Sequence, residues 1–508
     1  MKKILYLPLD ERPCNYNFPQ ILASATEYEM IEPPRDILGN KKLPADTAKI
    51  RKWLLESVRD VSGAIISVDM LVYGGIVPSR LHGYSISDCI DRLSILKELK
   101  GLNPNLKIFA FNLIMRCPQY SSADEEPDYY EDYGREIFRT GYINHRIALG
   151  KADRNEIEEL KGIKDKLPDS ILKDYTDRRN VNREVNRRAI DYVKKDIIDF
   201  LVIPQDDSSP YGFTAIDQQY VRKYISQNRL NLKIYMYPGA DEVGCTLLAR
   251  MINEDKAVRP LVYTRFSGTK GPFVNPLFED RILFESIKYQ IICAGGILCS
   301  SLPEADIILM VNTPGETMGE ALSYAGGSGI YDVEKNIPEF IEYMDYVVNT
   351  VKKPCVVADT AYANGADLEL IEMMRQKKLL YKLAAYAGWN TSSNTLGTCI
   401  SQGMLYKIYG NSKKHLDFLA LRYVEDAGYC SFVRQLVTKE KLPSMGYNYF
   451  KVDGKRGKVS HMVKAELEKF VGDRLEYDNY SININDCYMP WNRMFEVGLE
   501  VQLVQEGK

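Results

Sequence analysis

A short apolar run rich in β-branched and aromatic residues stops at polar, Gly or Pro residues, gives way to a helix-length stretch, and then recurs along most of this chain. That is the grammar of repeated βα units around a parallel sheet. The runs are KILYLPLD (3–10), GAIISVDM (63–70), KIFAFNLIMR (107–116), DFLVIPQDD (199–207), KIYMYPGADE (233–242), PLVYTRFSG (260–268), ADIILMVNTPG (305–315), PCVVADTAYANG (354–365) and KLAAYAGWN (382–390), with YEMIEPP (28–34) as a further candidate. Eight strands suit a (β/α)8 TIM-type barrel, with the surplus peripheral. The same count suits two doubly wound α/β domains, the second starting near residue 255. In either architecture the carboxyl ends of the strands form the functional edge.

The expected organisation is a barrel-type catalytic domain over 1–400 and a C-terminal α+β extension over 401–508. A charged excursion at 117–198 interrupts the first as a helical lid or subdomain, carrying Val181, Val185, Ala189 and Val193 at helical spacing. In the extension, Met462, Leu467 and Phe470 mark a helix, and the alternation of Phe495, Val497, Leu499, Val501 and Leu503 marks a half-buried strand.

Composition narrows the partners. A net charge of -3 over 508 residues offers no clustered cationic surplus for a phosphate backbone, so nucleic acid is not expected. No stretch approaches the roughly 18 uninterrupted apolar residues of a spanning helix, and no membrane partner is expected. The apolar run after the two N-terminal lysines ends at Leu9, too short for a signal peptide. Ten cysteines scattered without a CxxC pair read as reduced core thiols, and the expected location is the cytoplasm.

The chemistry concentrates after the strands. Asp206 and Asp207 follow FLVIP directly, and adjacent residues leaving a strand diverge. Two consecutive carboxylates can therefore address two atoms of one substrate; the rival reading is that QDDSSPYG caps the next helix. Asp241 and Glu242 follow the next strand in the same way, and Asp207 with Glu242 is a second possible acid pair for glycoside hydrolysis. The same four acids could hold Mg²⁺ or Ca²⁺ instead, although no EF-hand or His-carboxylate spacing accompanies them. Further strand-end groups suited to polyol recognition are Asp10, Arg12, Asp69, Tyr73, Arg80, Asn112, Arg116, Asn312, Asp359, Asn364, Trp389 and Asn390. The four histidines lie outside HExxH and GxSxG contexts, and YGGIVPSR lacks a P-loop or dinucleotide fingerprint. Neither cofactor nor resident metal is expected.

The ordered motifs LPLDERPCN, VDMLVYGGIVPSR, QDDSSPYG, PGADE, ADTAYANGAD, AGWNTSSNTLGT and PWNRMFE resemble a bacterial family, domain of unknown function 4127, over nearly the whole chain. The Asp206-Asp207 pair, after the fourth long strand, is also similar to that of substrate-assisted N-acetylhexosaminidases. That likeness implies a retaining exo-β-N-acetylhexosaminidase acting on a GalNAc or GlcNAc glycoside, with Asp206 polarising the 2-acetamido group and Asp207 as acid and base. The rivals are a Mg²⁺-dependent hydrolase or lyase on a small polar substrate, and a non-catalytic carbohydrate or metabolite binder. The expected partner is a small carbohydrate, and a homo-oligomer is compatible with the sequence.

Overall fold

The computed structural model describes residues 1–321 and 333–505. It is α/β with parallel sheets, and the chain divides into two compact units, each assembled from several segments.

The first unit comprises residues 1–11, 28–244 and 278–280. Its strands are β1 (Lys2–Leu7), β2 (Tyr28–Ile31), β3 (Gly63–Ser67), β4 (Lys107–Phe111), β5 (Phe200–Gln205) and β6 (Ile234–Pro238), hydrogen-bonded in the order β2-β1-β3-β4-β5-β6. Every neighbouring pair is parallel. All residues of β3 and β5 are buried, as expected where helices cover both faces of a sheet. YEMIEPP supplies the edge strand β2, which leaves β5 as the fourth long strand. The winding reverses between β1 and β3, the kind of point at which open α/β sheets bind ligands beyond their carboxyl ends.

Between β4 and β5 lie the helices Tyr130–Ala148, Arg154–Lys164 and Asp169–Lys194. They form a subdomain with a core that includes Tyr130, Ile137, Phe138, Leu160 and Tyr175. The capping box of Asp153 and Glu156 starts the middle helix by satisfying backbone N–H groups in both directions.

The second unit comprises residues 12–27, 245–277 and 281–508, as far as they are described. Its strands are β7 (Leu261–Phe266), β8 (Ile297–Leu298), β9 (Ile307–Asn312), β10 (Gly319–Glu320), β11 (Cys355–Asp359), β12 (Tyr362–Ala363), β13 (Ala385–Ala387), β14 (Tyr480–Tyr488) and β15 (Gly498–Gln505). A five-stranded sheet runs β13-β11-β9-β7-β8, again parallel throughout. β10 pairs with β12, and β14 with β15 in antiparallel sense. In β15 the expected alternation buries Val501 and Leu503 and exposes Glu500 and Gln502.

All ten anticipated runs contain a strand, and they are shared between two sheets; no pairing among the described residues closes either sheet on itself. The ten cysteines are free thiols, nine of them buried. No helix among the described residues is long and apolar enough to cross a membrane.

Candidate functional site

The site develops from the carboxyl ends of β3, β4 and β5 in the first unit. β5 stops at Gln205, whose side-chain amide donates to Asp280 at 2.9 Å. Asp206 and Asp207 follow at once. Asp207 has a φ of 39°, a left-handed conformation that Asp tolerates better than most residues but that still costs free energy. The helix after this turn, Phe213–Gln227, has Gly212 at its N-cap and no side-chain cap. The two carboxylates are therefore not spent on capping it.

Each carboxylate meets its own arginine. Arg80 Nη2 donates to Asp206 Oδ2 at 2.7 Å, and Arg116 Nη1 donates to Asp207 Oδ2 at 3.0 Å. Two glutamates from the start of the insertion complete the cluster. Glu125 Oε2 accepts from Arg80 at 2.9 Å and from Arg116 at 3.1 Å. Glu126 Oε1 accepts from Arg116 Nε at 2.7 Å and from Arg80 Nη1 at 3.3 Å. Nearby, Lys41 pairs with Asp124 and Lys42 with Asp128, tying down the same acidic segment.

The long helix Asp169–Lys194 positions both arginines through their backbones. Arg179 donates to the carbonyls of Met115 (2.9 Å) and Arg116 (3.0 Å) and is itself neutralised by Asp217 at 2.6 Å. Tyr175 O–H donates to the Arg116 carbonyl at 3.1 Å, and Asn182 donates to the Ser79 carbonyl at 2.9 Å, next to Arg80. Arg80 is almost wholly buried, so its charge is compensated at short range, the only economical way to keep a guanidinium inside.

Burial and the charge of Asp206 push the Asp207 carboxyl up to about 6, against the opposing pull of Arg116. Asp69, in the first turn after β3, is raised to about 7 by burial although it accepts from the Leu113 N–H at 2.9 Å and Asn112 at 3.2 Å. Asn186 on the long helix donates to Asn112 at 2.7 Å, extending this chain into the insertion. Gly74, at φ 88°, ends the helix Val68–Tyr73 where a Cβ would stand 2.7 Å from the Ala45 nitrogen.

A model of the family described as Protein of unknown function (DUF4127) matches residues 4–500. The chain belongs to that family. No curated protein matches this DUF4127 chain.

The remaining candidates of the DUF4127 protein divide by unit. In the first, Asp10 follows β1 and is buried. Tyr73 stacks on His82 with ring centroids 4.5 Å apart, its hydroxyl buried without a hydrogen-bond partner among the described residues. Asp241 and Glu242 follow β6, which pairs with β5; Glu242 is fully buried and turns back on its own loop to accept from the Ala240 N–H at 2.9 Å.

In the second unit, Arg12 lies 4.6 Å over the Trp491 ring. Trp389 is buried, edge-on to Phe18, with Nε1 donating to Thr398 at 3.3 Å. Asn364 and Asn390 both have left-handed φ and are joined by a 2.7 Å backbone hydrogen bond. Asp359 ends β11: Oδ1 accepts from Asn312 at 2.9 Å, and Oδ2 from the Asp367 N–H at 2.7 Å and Tyr386 at 3.1 Å. Asp367 accepts from Lys335 at 2.7 Å and from Asn312 at 3.0 Å. Burial and the adjacent Asp367 raise Asp359 to about 7.

Sequence reasoning missed Glu125, Glu126, Lys335 and Asp367. The first two sit inside an acidic run that reads as a solvated face, and only the approach of Arg80 reveals their role. Among the described residues no group of three or more His, Cys, Asp or Glu has a geometry suited to a metal ion.

Proposed function

We propose that the protein is a glycoside hydrolase, a retaining exo-β-N-acetylhexosaminidase that acts by substrate assistance through Asp206 and Asp207. One observation carries the reading. Two adjacent carboxylates leave one strand end, Asp206 paired with Arg80 at 2.7 Å and Asp207 with Arg116 at 3.0 Å, and burial together with the charge of Asp206 raises the Asp207 carboxyl to about 6. Carboxyl groups differentiated in this way are the usual basis for dividing acid and electrostatic roles at near-neutral pH.

In the first step the 2-acetamido oxygen of the substrate attacks the anomeric carbon while Asp207 gives its proton to the leaving glycosidic oxygen. Asp206, held by Arg80, orients the acetamido N–H and stabilises the positive oxazolinium ring. In the second step Asp207, now a carboxylate, takes a proton from water as the water oxygen attacks the same carbon and the ring opens. Two inversions give net retention. Asp10, Asp69 and Asp241 follow other strands of the same parallel sheet, and their carboxyl groups suit hydrogen bonds to sugar hydroxyls. This reading takes the sheet as an open, doubly wound one, whose binding edge is its carboxyl edge.

Hydrolysis of paired aryl glycosides with and without the 2-acetamido group tests the proposal. Release confined to N-acetylhexosaminides is the expected result. Equal release from plain glycosides would exclude substrate assistance, and no release at all would exclude the class.

A further inference from the structure

The second unit holds a groove of about 320 Å³, lined by the helices Pro13–Ser24 and Lys413–Arg422, by Glu425 and by β14 and β15, all of them parts of that unit. Its volume lies at the lower end of the roughly 300–1,000 Å³ of small-molecule sites. The apolar part of the lining is mainly aliphatic and includes Ile21, Leu421, Leu499 and Val501. The charged part is weighted to acids: Asp417, Glu425, Asp486 and Glu500 line the groove together with Lys414.

Ion pairs balance most of this charge. Lys413 pairs with Asp417 and Arg456 with Asp486, and the exposed Glu500 and Lys414 offset each other in number. Glu425 and its neighbour Asp426 share one cation, the fully buried Arg422, which donates through Nη2 to Glu425 Oε2 and stands with Nη1 3.4 Å from Asp426 Oδ1. The group is thus one positive charge short, and the shortfall lies at Glu425 and Asp426. Burial raises both carboxyls, Asp426 to about 7, despite the shared arginine. Glu425 is 6% exposed, and its Oε1 accepts no hydrogen bond among the described residues. Asp417 receives both Lys413 and the Leu503 N–H on Oδ1, which leaves its Oδ2 open as well.

This lining selects a ligand class. An anion would meet the carboxylates unfavourably. A sugar ring packs best on an open aromatic face, but Phe18 is buried with Arg422 4.1 Å from its ring, and Lys455 and Arg456 lie 4.6 and 4.8 Å from the ring of Tyr488. An alkylammonium ion brings the missing charge, three N–H donors and methylene groups suited to an aliphatic lining.

We propose that this groove is a binding site for a small aliphatic amine, with the ammonium group on Glu425 and the carbon chain along Ile21, Leu421, Leu499 and Val501. The site is independent of the reaction assigned to Asp206 and Asp207.

The test is calorimetric titration of the full chain at neutral pH with hexylammonium, 1-hexanol and hexanoate, which share one chain and differ in the head group. Hexylammonium is expected to bind about tenfold or more tightly than hexanol, the scale of one charge-assisted hydrogen bond, and hexanoate more weakly than either. Butylammonium is expected to bind more weakly than hexylammonium by about fourfold per methylene removed. Glu425→Gln is expected to bring hexylammonium to the affinity of hexanol. Because Glu425 is buried beside Arg422 and its variant can fail to fold, Glu500→Lys at an exposed lining position gives a second readout, an expected two- to fivefold loss for hexylammonium, roughly the scale of an exposed charge pair, with hexanol unchanged. Equal affinities for hexylammonium and hexanol, tightest binding by hexanoate, or no dependence on chain length would overturn the site. So would an amine preference that survives in both folded variants, since it would place the ammonium group elsewhere.

Discussion

In the first unit Asp206 and Asp207 lie at the end of β5 with 14% and 22% of their side chains open to solvent and an oxygen each beyond what the arginines use. In the second unit Asp359 lies at the end of β11 with no exposure, and its two oxygens accept three hydrogen bonds from Asn312, Asp367 and Tyr386. Both positions are carboxylates at the carboxyl edge of a parallel sheet, and burial raises Asp207 and Asp359 alike. What separates them is completion. A polar network satisfied from within and closed to solvent rigidifies its surroundings, whereas one that keeps acceptors facing solvent can exchange a proton or hold a ligand.

The comparison can be broken most decisively at Asp207. Replacing it by Asn is expected to lower kcat on N-acetylhexosaminides by about 10²- to 10⁴-fold, the range for removal of a general acid, with no loss of folded protein by circular dichroism. Next in size is Asp367→Ala in the second unit. It removes the buried partner of Lys335 and a cap of the helix Leu368–Gln376, and urea unfolding is expected to show a loss of about 3–5 kcal/mol.

The pH dependence of stability sharpens the contrast further. Asp359 is raised to about 7 in the folded chain, against about 3.9 for an unfolded Asp. Over that interval the folded state binds more protons than the unfolded one, so this contribution to stability is complete below about pH 4 and lost as pH rises through 7. Asp359→Asn is expected to flatten that part of the stability profile, as read by thermal melts across the interval. The smallest effect belongs to Lys42→Ala. Its partner Asp128 is almost fully exposed, and the loss is expected to stay below about 0.5 kcal/mol in the same melts.

Much of the fold was legible because parallel strands are continuous apolar runs, and GAIISVDM or ADIILMVNTPG declares itself without reference to partners. The two-residue strands β8, β10 and β12 carry too little sequence to show a period. β14 is interrupted by a register shift between Ile484 and Asp486, which breaks the alternation by which β15 is read. The division into two sheets depends on pairing partners distant in sequence, such as β7 with β9. At the site, Asp206 and Asp207 stand out because they adjoin a buried run. Glu125 and Glu126 do not, because an acidic stretch looks the same in sequence whether it meets water or arginine. Trp389 shows the converse: a Trp at a strand end suggests a sugar platform, and here its ring packs against Phe18.

The central claim, that Asp207 is the proton donor to the leaving group, is tested most directly by the dependence of kcat/KM on leaving-group acidity for a series of aryl N-acetylhexosaminides, in the wild type and in Asp207→Asn. A proton donor makes poor leaving groups nearly as reactive as good ones, so the wild type is expected to show a shallow dependence and the variant a steep one, with activity best preserved on the most acidic phenol. The same slope in both proteins would contradict the assignment.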